Sequence, residues 1–524
     1  MSSNMSVHDY VSSPLTRVEF AVLMSGIASM GLEILAGRMI TPAYGSSIFT
    51  WGSIIGVFLT ALSLGYWVGG KRASSRASRG RLAGVLSASA AYVAFVIFMQ
   101  GPILDAGLVV DIPPQYSPLI PVTLLFGPPI YILGFISPYG AHLSQKEDIG
   151  EASGHVYALG TIGSIIGTFW TTFHLVPAYS INMIAFIFGV LLLLSAAILA
   201  YDDISLKSAS IAAVVAVLLI SSLVVPSAVV ATPGQTIHEE QSTYQQITVA
   251  QEGEIRTLYS DGQPHSAMNM SSPDTHVLSY SRYLRLPWLM ADESDQIDRV
   301  LIIGGGGFTS SRRIVANSNA TVDVVEIDPT MIEVSKEYFH LNESDQLNVI
   351  NAPGRRYLRN TNRTYDMIVM DAYKKTEVPF QLTTVEFMEL ASDHLSENGF
   401  MHVNLISSQT GAASQIYKSE YRSMNKVFPQ VYSFPTEGNV SEIQNIELIA
   451  TKNATRISQS ELQHRNRDRT IGINLSSEIE RYKIDIDTEG AKALRDDWAP
   501  VDHLMSPMIG RTIQPSTVNE TNSP

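Results

Sequence analysis

Three acids and a run of glycines pose the chemical question in this 524-residue chain. Glycines Gly304, Gly305 and Gly306, followed by Gly307, come directly after the apolar run Val300–Ile303. Without Cβ atoms such a turn lets backbone approach a ligand at a helix N-terminus, where free N–H groups favour anions. A second apolar run, Val322–Ile327, carries Glu326 and is followed by Asp328. An acid 22 positions after Gly304 can accept hydrogen bonds from ribose hydroxyls, so strand, glycine turn, helix, strand and acid follow the order of a mononucleotide-binding half. A third run, Met367–Met370, ends on Asp371, at the carboxyl edge where open α/β sheets place ligands. The plainer alternatives are a tight βα turn with no ligand and an aspartate satisfied by loop amides.

A second group of polar residues lies in apolar surroundings. Glu33 and Arg38 fall within one long apolar segment, with Tyr44 just beyond it and His174 near the end of another. Ionisable groups at membrane depth are costly and mark candidate functional sites. Glu33 and Arg38 are five residues apart, about 140° around a helix, so they do not pair locally. The alternative is that Arg38 snorkels to headgroups and Glu33 is a buried acceptor.

The elements that must hold these residues divide the chain. Seven apolar segments of spanning length can be drawn: Val18–Ile40, Phe49–Gly69, Leu82–Leu104, Pro118–Pro138, His155–Val176, Ile181–Ala200 and Ser208–Val230. Lys71, Arg72, Arg76, Arg79 and Arg81 crowd the link between the second and third, which marks that link as cytoplasmic. Arg17, Lys146 and Lys207 fall on the same side. An odd number of crossings then puts the N-terminus in the cytoplasm and everything after Val230 outside, in a multi-pass protein of the cell membrane. Eight of the chain's nine Asn-x-Ser/Thr sites lie beyond residue 231, which leans the same way.

Charge follows the same boundary. Residues 1–231 hold 9 Lys/Arg and 10 Asp/Glu, against 26 and 39 in residues 232–524, so nearly all of the net −14 lies in the second part. That acidity argues against nucleic acid as a partner. The absence of cysteine excludes disulfides, thiolate catalysis and Cys-ligated zinc. The twelve histidines are scattered without H-x-x-x-H or H-E-x-x-H spacing, so no metal is expected. The expected organisation is an N-terminal tail (1–17), a transmembrane helical domain (18–230), a linker and small β domain (231–296), a Rossmann-like α/β domain (297–510) and a polar tail (511–524). Ala231–Gln241 reads as linker. Strands are expected at Thr243–Val249, Arg256–Tyr259 and Phe400–Leu405, a helix at Gly411–Val427, a closing antiparallel pair at Val431–Phe434 and Ile446–Thr451, and no core-forming pattern from Met505 onward.

Both parts resemble the membrane-fused branch of the spermidine synthase (polyamine aminopropyltransferase) family. GLEILAGRMITPAYGSSIFTWGSIIGVFLTALSLGYWVGG (31–70) and GHVYALGTIGSIIGTF from Gly154 look like that branch's membrane signature. In the second part STYQQITV, SDGQPHSAMN, VLIIGGGG, VVEID, YDMIVMDAY, PFQLTTVEF and DDWAPVDHL follow the family's order, so the resemblance covers about 17–510. It implies a spermidine-synthase/methyltransferase-type α/β domain preceded by a small β-sheet. It assigns Glu326 to a nucleoside ribose, Gln245 to the nucleoside's neighbourhood, Gly354 to the adenine site, and Asp371 to taking a proton from the attacking amine. Tyr280 and Tyr373 become candidates for substrate contact.

Several positions depart from the family pattern. The Asp after three glycines is Gly307, the acid–Gly pair is Pro353–Gly354, the second Asp of DSxDP is Lys374, and Tyr-His-Glu reads Tyr280-Ser281-Arg282. A diamine needs carboxylates to hold its ammonium groups, and several are replaced by neutral or basic residues. Three readings stand side by side. One is a transferase using S-adenosylmethionine or its decarboxylated form to move a methyl or aminopropyl group to an amine. Another is a membrane-surface enzyme acting on a lipid or lipoprotein through Glu33 and Arg38, with Tyr44 and His174 beside them. The third is a binding or scaffold protein. Membrane lipids are expected partners, and the oligomeric state is open.

Overall fold

Two units divide the chain, Met1–Val229 and Val230–Pro524. The computed structural model describes residues 15–110, 112–144, 148–203, 206–224, 232–293, 296–373, 377–509, 511 and 517.

In the first unit, apolar sequence and interrupting polar loops give long antiparallel helices: α1 (Arg17–Tyr44), α2 (Ile48–Arg76), α3 (Arg79–Val109), the broken pair α4 (Leu119–Leu133) and α5 (Ile136–Leu143), α6 (Ile149–Trp170), α7 (Ile181–Leu199) and α8 (Leu206–Ser222). Thr16 starts α1 with a capping box: its hydroxyl accepts from the Glu19 amide and the Glu19 carboxylate accepts from its own. Among the described residues six helical stretches, α4 and α5 counting as one, are long and apolar enough to cross a membrane. In the seventh expected span the described helix is Leu206–Ser222, 17 residues. At 1.5 Å per residue that is about 25 Å, short of a hydrocarbon core of about 30 Å. The rest of that expected segment, 225–230, lies outside the described residues, as does Lys146. Arg17 and Asp202 pair at 2.5 Å, joining the start of α1 to the turn after α7.

Small residues decide how closely these helices approach. A Cβ on Gly163 of α6 would lie 2.2 Å from the Leu23 carbonyl oxygen of α1, and one on Gly167 2.3 Å from that of Ile27. Gly26 makes the reciprocal approach, 2.3 Å from the Gly160 oxygen. The Gly/Thr-rich segment is therefore a helix-packing stripe, as its composition suggests. A buried hydrogen bond from Gln100 to Asn182 (2.8 Å) joins α3 to α7. Outward, Leu59, Trp67, Phe169 and Phe173 are exposed, an apolar surface suited to lipid rather than water.

The second unit opens with a four-stranded antiparallel sheet in the order β1 (Gln235–Gln241), β2 (Gln246–Glu252), β3 (Ile255–Ser260), β4 (Gln263–Asn269). β1 corrects the expected linker. Its polar sequence, QTIHEEQ, occupies a largely exposed edge and carries no apolar alternation to read. A seven-stranded sheet follows: β5 (Arg299–Ile303), β6 (Thr321–Glu326), β7 (Leu347–Asn351), β8 (Tyr365–Met370), β9 (Leu395–Ser407), β10 (Gln430–Pro435) and β11 (Gln444–Thr451). Their spatial order is β10-β11-β9-β8-β5-β6-β7, with β5 to β9 parallel and the two last strands antiparallel.

Alternate residues of the strands feed two cores, Leu301, Ile303, Ile368, Met370, Met401 and Val403 on one face and Val300, Ile302, Val322, Val324, Met367 and Val369 on the other. Each such buried side chain contributes about 1.5–3 kcal/mol. The expected helix at Gly411–Val427 is shorter, Gln415–Asn425, after a 3-10 turn at Ala412–Ser414. The tail expected from Met505 is also corrected. Val501–Met505 is helical, and Met505 and Met508 fill the first core beside Leu494. Their spacing is too short to show a period, so only tertiary packing reveals them.

Candidate functional site

Chain order reverses between β5 and β8, which lie side by side at the centre of the sheet, and both candidate motifs leave from their carboxyl ends. Gly304 follows β5 with φ +97°, and a Cβ there would lie 2.4 Å from the Asp371 carbonyl oxygen after β8. Glycine is thus required by the neighbouring strand as well as by the turn. Gly306 (φ +50°) and Phe308 (φ 54°) complete the left-handed bend into helix α9 (Thr309–Ala316).

The turn is held from several sides. Glu326 accepts from the Gly305 amide (2.7 Å) with one oxygen and from the Asp328 amide (2.8 Å) with the other. Gly307 donates its amide to Ser266 Oγ (2.9 Å), and Ser335 donates to the Gly306 carbonyl (3.1 Å). Burial pushes the Glu326 carboxyl up, while those amides oppose the shift. A carboxylate has about four acceptor positions, so each oxygen retains capacity for a ribose hydroxyl.

Asp328 is almost wholly buried and caps helix α10 (Pro329–Tyr338) through the Thr330 amide. Its second oxygen accepts from Ser242 (2.6 Å) and from Gln245 Nε2 (3.2 Å). Gln245 in turn accepts from Ser260. These two expected ligand residues therefore meet each other and fasten the small sheet to β6. Gly354 starts helix α11 (Gly354–Asn360), where a Cβ would lie 2.4 Å from Ile303 Cγ2. Close packing accounts for it.

Asp371 is partly buried and accepts from Asn404 Nδ2 (2.9 Å), whose oxygen accepts from Asn445 (2.7 Å). Burial raises the Asp371 carboxyl, with the Asn404 hydrogen bond opposing. The Glu447 carboxyl is raised by burial and then by Asp371. Glu447 is buried and 2.7 Å from His402 Nε2, while burial pushes His402 down to about 3.

Tyr280 donates to the His265 carbonyl (3.1 Å), and its phenol is raised by burial and then by Asp371. Sequence reasoning missed Asn404, Glu447 and Ser266. The available signal was a polar residue within an otherwise apolar strand, as in MHVNLI and NIELIA.

Other expected residues go elsewhere. Tyr373 is buried with its hydroxyl on Glu420 and the Leu382 carbonyl, so it packs in the core rather than presenting that hydroxyl to a substrate. Lys374 lies outside the described residues. In the first unit, Tyr44 is buried and donates to the Leu104 carbonyl (3.0 Å), which makes it a link between α1 and α3. Glu33 and Arg38 are half-buried on α1. His174 is exposed within a π-helical turn, Thr171–Leu175, that ends α6.

Residues 282–438 match the family described as spermine/spermidine synthase domain. The polyamine aminopropyltransferase of Vibrio vulnificus is 27% identical over 278 residues, 51% of this chain and 91% of that protein. Its counterpart in Oceanobacillus iheyensis is 31% identical over 180 residues, 33% of this chain and 34% of that protein. Among solved structures, a probable spermidine synthase from Corynebacterium glutamicum is 20% identical, covering 51% of this chain and 97% of that one with a TM-score of 0.42. This chain is spermidine synthase-like through its second unit.

Proposed function

We propose, from the premise that residues 282–438 are a spermine/spermidine synthase domain, that the second unit transfers an aminopropyl or methyl group from an adenosyl-type sulfonium donor to an amine. The observation that carries this reading is the meeting of Asp371 with the glycine turn on adjacent strands, their backbones in direct contact at Gly304. The donor, S-adenosylmethionine or its decarboxylated form, supplies a carbon made electrophilic by the attached sulfonium. Glu326, fixed by two amides, accepts from ribose hydroxyls. Asp371, oriented by Asn404, takes the proton released as the amine nitrogen bonds to that carbon and the carbon–sulfur bond breaks. Arg282 and Lys374 stand where the family pattern has acids, which speaks for an acceptor other than the diamine of the soluble enzymes.

The test uses the full chain in detergent, with donor binding by calorimetry and transfer followed by mass. Asp371→Asn should keep donor affinity and abolish transfer. Glu326→Ala should weaken donor binding by about 1.5–3 kcal/mol, the range for a hydrogen bond to a charged group. Only ionised Asp371 is a base, and burial raises its carboxyl. The transfer rate should therefore fall on acidification at a pH above the ordinary aspartate range. Wild-type protein that binds neither donor would sink the reading.

A further inference from the structure

Behind helix α9 the second unit contains a cavity of about 190 Å³, lined by Thr275, His276, Arg282, Arg285 and Arg313 among others, with Asp274 at its margin. Its charges do not cancel internally. Arg282 is spent on Glu478 and on the Asn474 carbonyl (2.6 Å). Asp274 lies 3.6 Å from Arg312 rather than on a cavity arginine. Arg285 and Arg313 are each more than nine-tenths buried, and neither has a carboxylate within ion-pair distance among the described residues.

Their hydrogen bonds go to neutral oxygens. Arg285 Nη2 donates to the carbonyls of Ile471 (2.8 Å) and Asn317 (3.3 Å). Arg313 reaches the Thr275 carbonyl (3.3 Å) and Thr309 Oγ1 (3.4 Å), both long. Arg285 Nη1 is buried with no hydrogen-bond partner. A buried guanidinium left short of acceptors is costly, and an oxyanion is the group that matches its planar donor fork.

We propose that this cavity binds a small oxyanion group, a phosphate or a carboxylate, between Arg285 and Arg313 with His276 beside it. The electrostatics agree. Burial pushes both arginines down to about 10, which leaves them charged at neutral pH. Burial together with Arg313, Arg282 and Arg285 pushes His276 down to about 3, so its ring is neutral, and its Nδ1 lies 2.8 Å from Ser281 Oγ. The field at the cavity is that of two cations, Arg285 stacked 4.5 Å from the Trp288 ring and Arg313 only partly offset by Asp274 at the margin. Arg282 and Arg285 also tie the loop at Ile471–Asn474 to the segment around Ser281, so a purely structural clamp is the rival account.

The experiment uses the full chain in detergent at constant ionic strength, with chloride as background and inorganic phosphate or succinate added. Bound phosphate or carboxylate should raise Tm and give a calorimetric isotherm. A response to phosphate alone assigns the group as a phosphate, and a response to succinate alone as a carboxylate. Arg313→Gln and Arg285→Gln should each weaken the responding anion at least tenfold. Should Arg285→Gln fail to fold, Arg313→Gln decides, because its hydrogen bonds are long and its loss disturbs the loop least. A wild-type Tm indifferent to both anions, or an anion response that survives Arg313→Gln, overturns the proposal and leaves a clamp.

Discussion

Glu420 holds a proton that most glutamates have lost at neutral pH. Burial pushes its carboxyl up to about 8, against the opposing hydrogen bond from Tyr373. An unfolded glutamate titrates near 4.5, so between that value and about 8 the native state binds more protons than the unfolded one. Stability contributed by this site is complete below the lower value and lost as pH rises through the window. Glu420→Gln keeps an acceptor for Tyr373 without the ionisable proton. Its Tm should exceed that of wild type at pH about 8 and match it at about 5, above and near the two limits of the window. Equal Tm differences at both pH values would show that the carboxyl titrates normally. At this scale the sequence revealed what a short motif encodes, Glu326 at a strand end and Asp371 at another. It did not reveal Asn404, Glu447 or Arg285, because their partners lie on distant segments and no local spacing joins them.

Elements were legible where pattern and period agreed. The parallel strands, the glycine turn and the long apolar helices follow from runs and breakers. β1 escaped because an exposed edge strand needs no apolar alternation, and the segment around Met508 because its order comes from the core it fills. The α1–α6 contact shows the opposite case, a composition whose physical meaning is direct. Gly163 faces backbone rather than a flexible side chain, so its neighbour cannot move aside cheaply. Gly163→Ala should cost about 1–3 kcal/mol, the usual range for overpacking, and lower Tm in detergent. Gly154→Ala, on the same helix with open space at its Cβ, should leave Tm unchanged or slightly higher. Equal behaviour of the two variants would show that the helices do not pack through this stripe.

For the whole molecule, the crossing number carries the functional consequence. Seven crossings would carry the second unit to the opposite side, and six, the number of span-length helices among the described residues, would leave it on the side where the first begins. Adenosyl donors are made in the cytosol, so the proposed transferase requires Leu206–Ser222 not to cross. Reporters fused after Tyr201 and at the C-terminus should both read as cytoplasmic. A C-terminal reporter active only outside would restore the seventh span and remove the donor from reach. Sequence pattern locates the apolar stretches but leaves this parity open, since one helix near the length threshold decides it.

The glycine turn is already clasped by Glu326, Ser266 and Ser335. A loop that must rearrange before it can bind spends most encounters in the wrong shape, and its capture rate falls accordingly. On the proposed reading, the waiting time for a productive encounter is then set by diffusion and orientation. Discrimination between donors would come from how long each one stays.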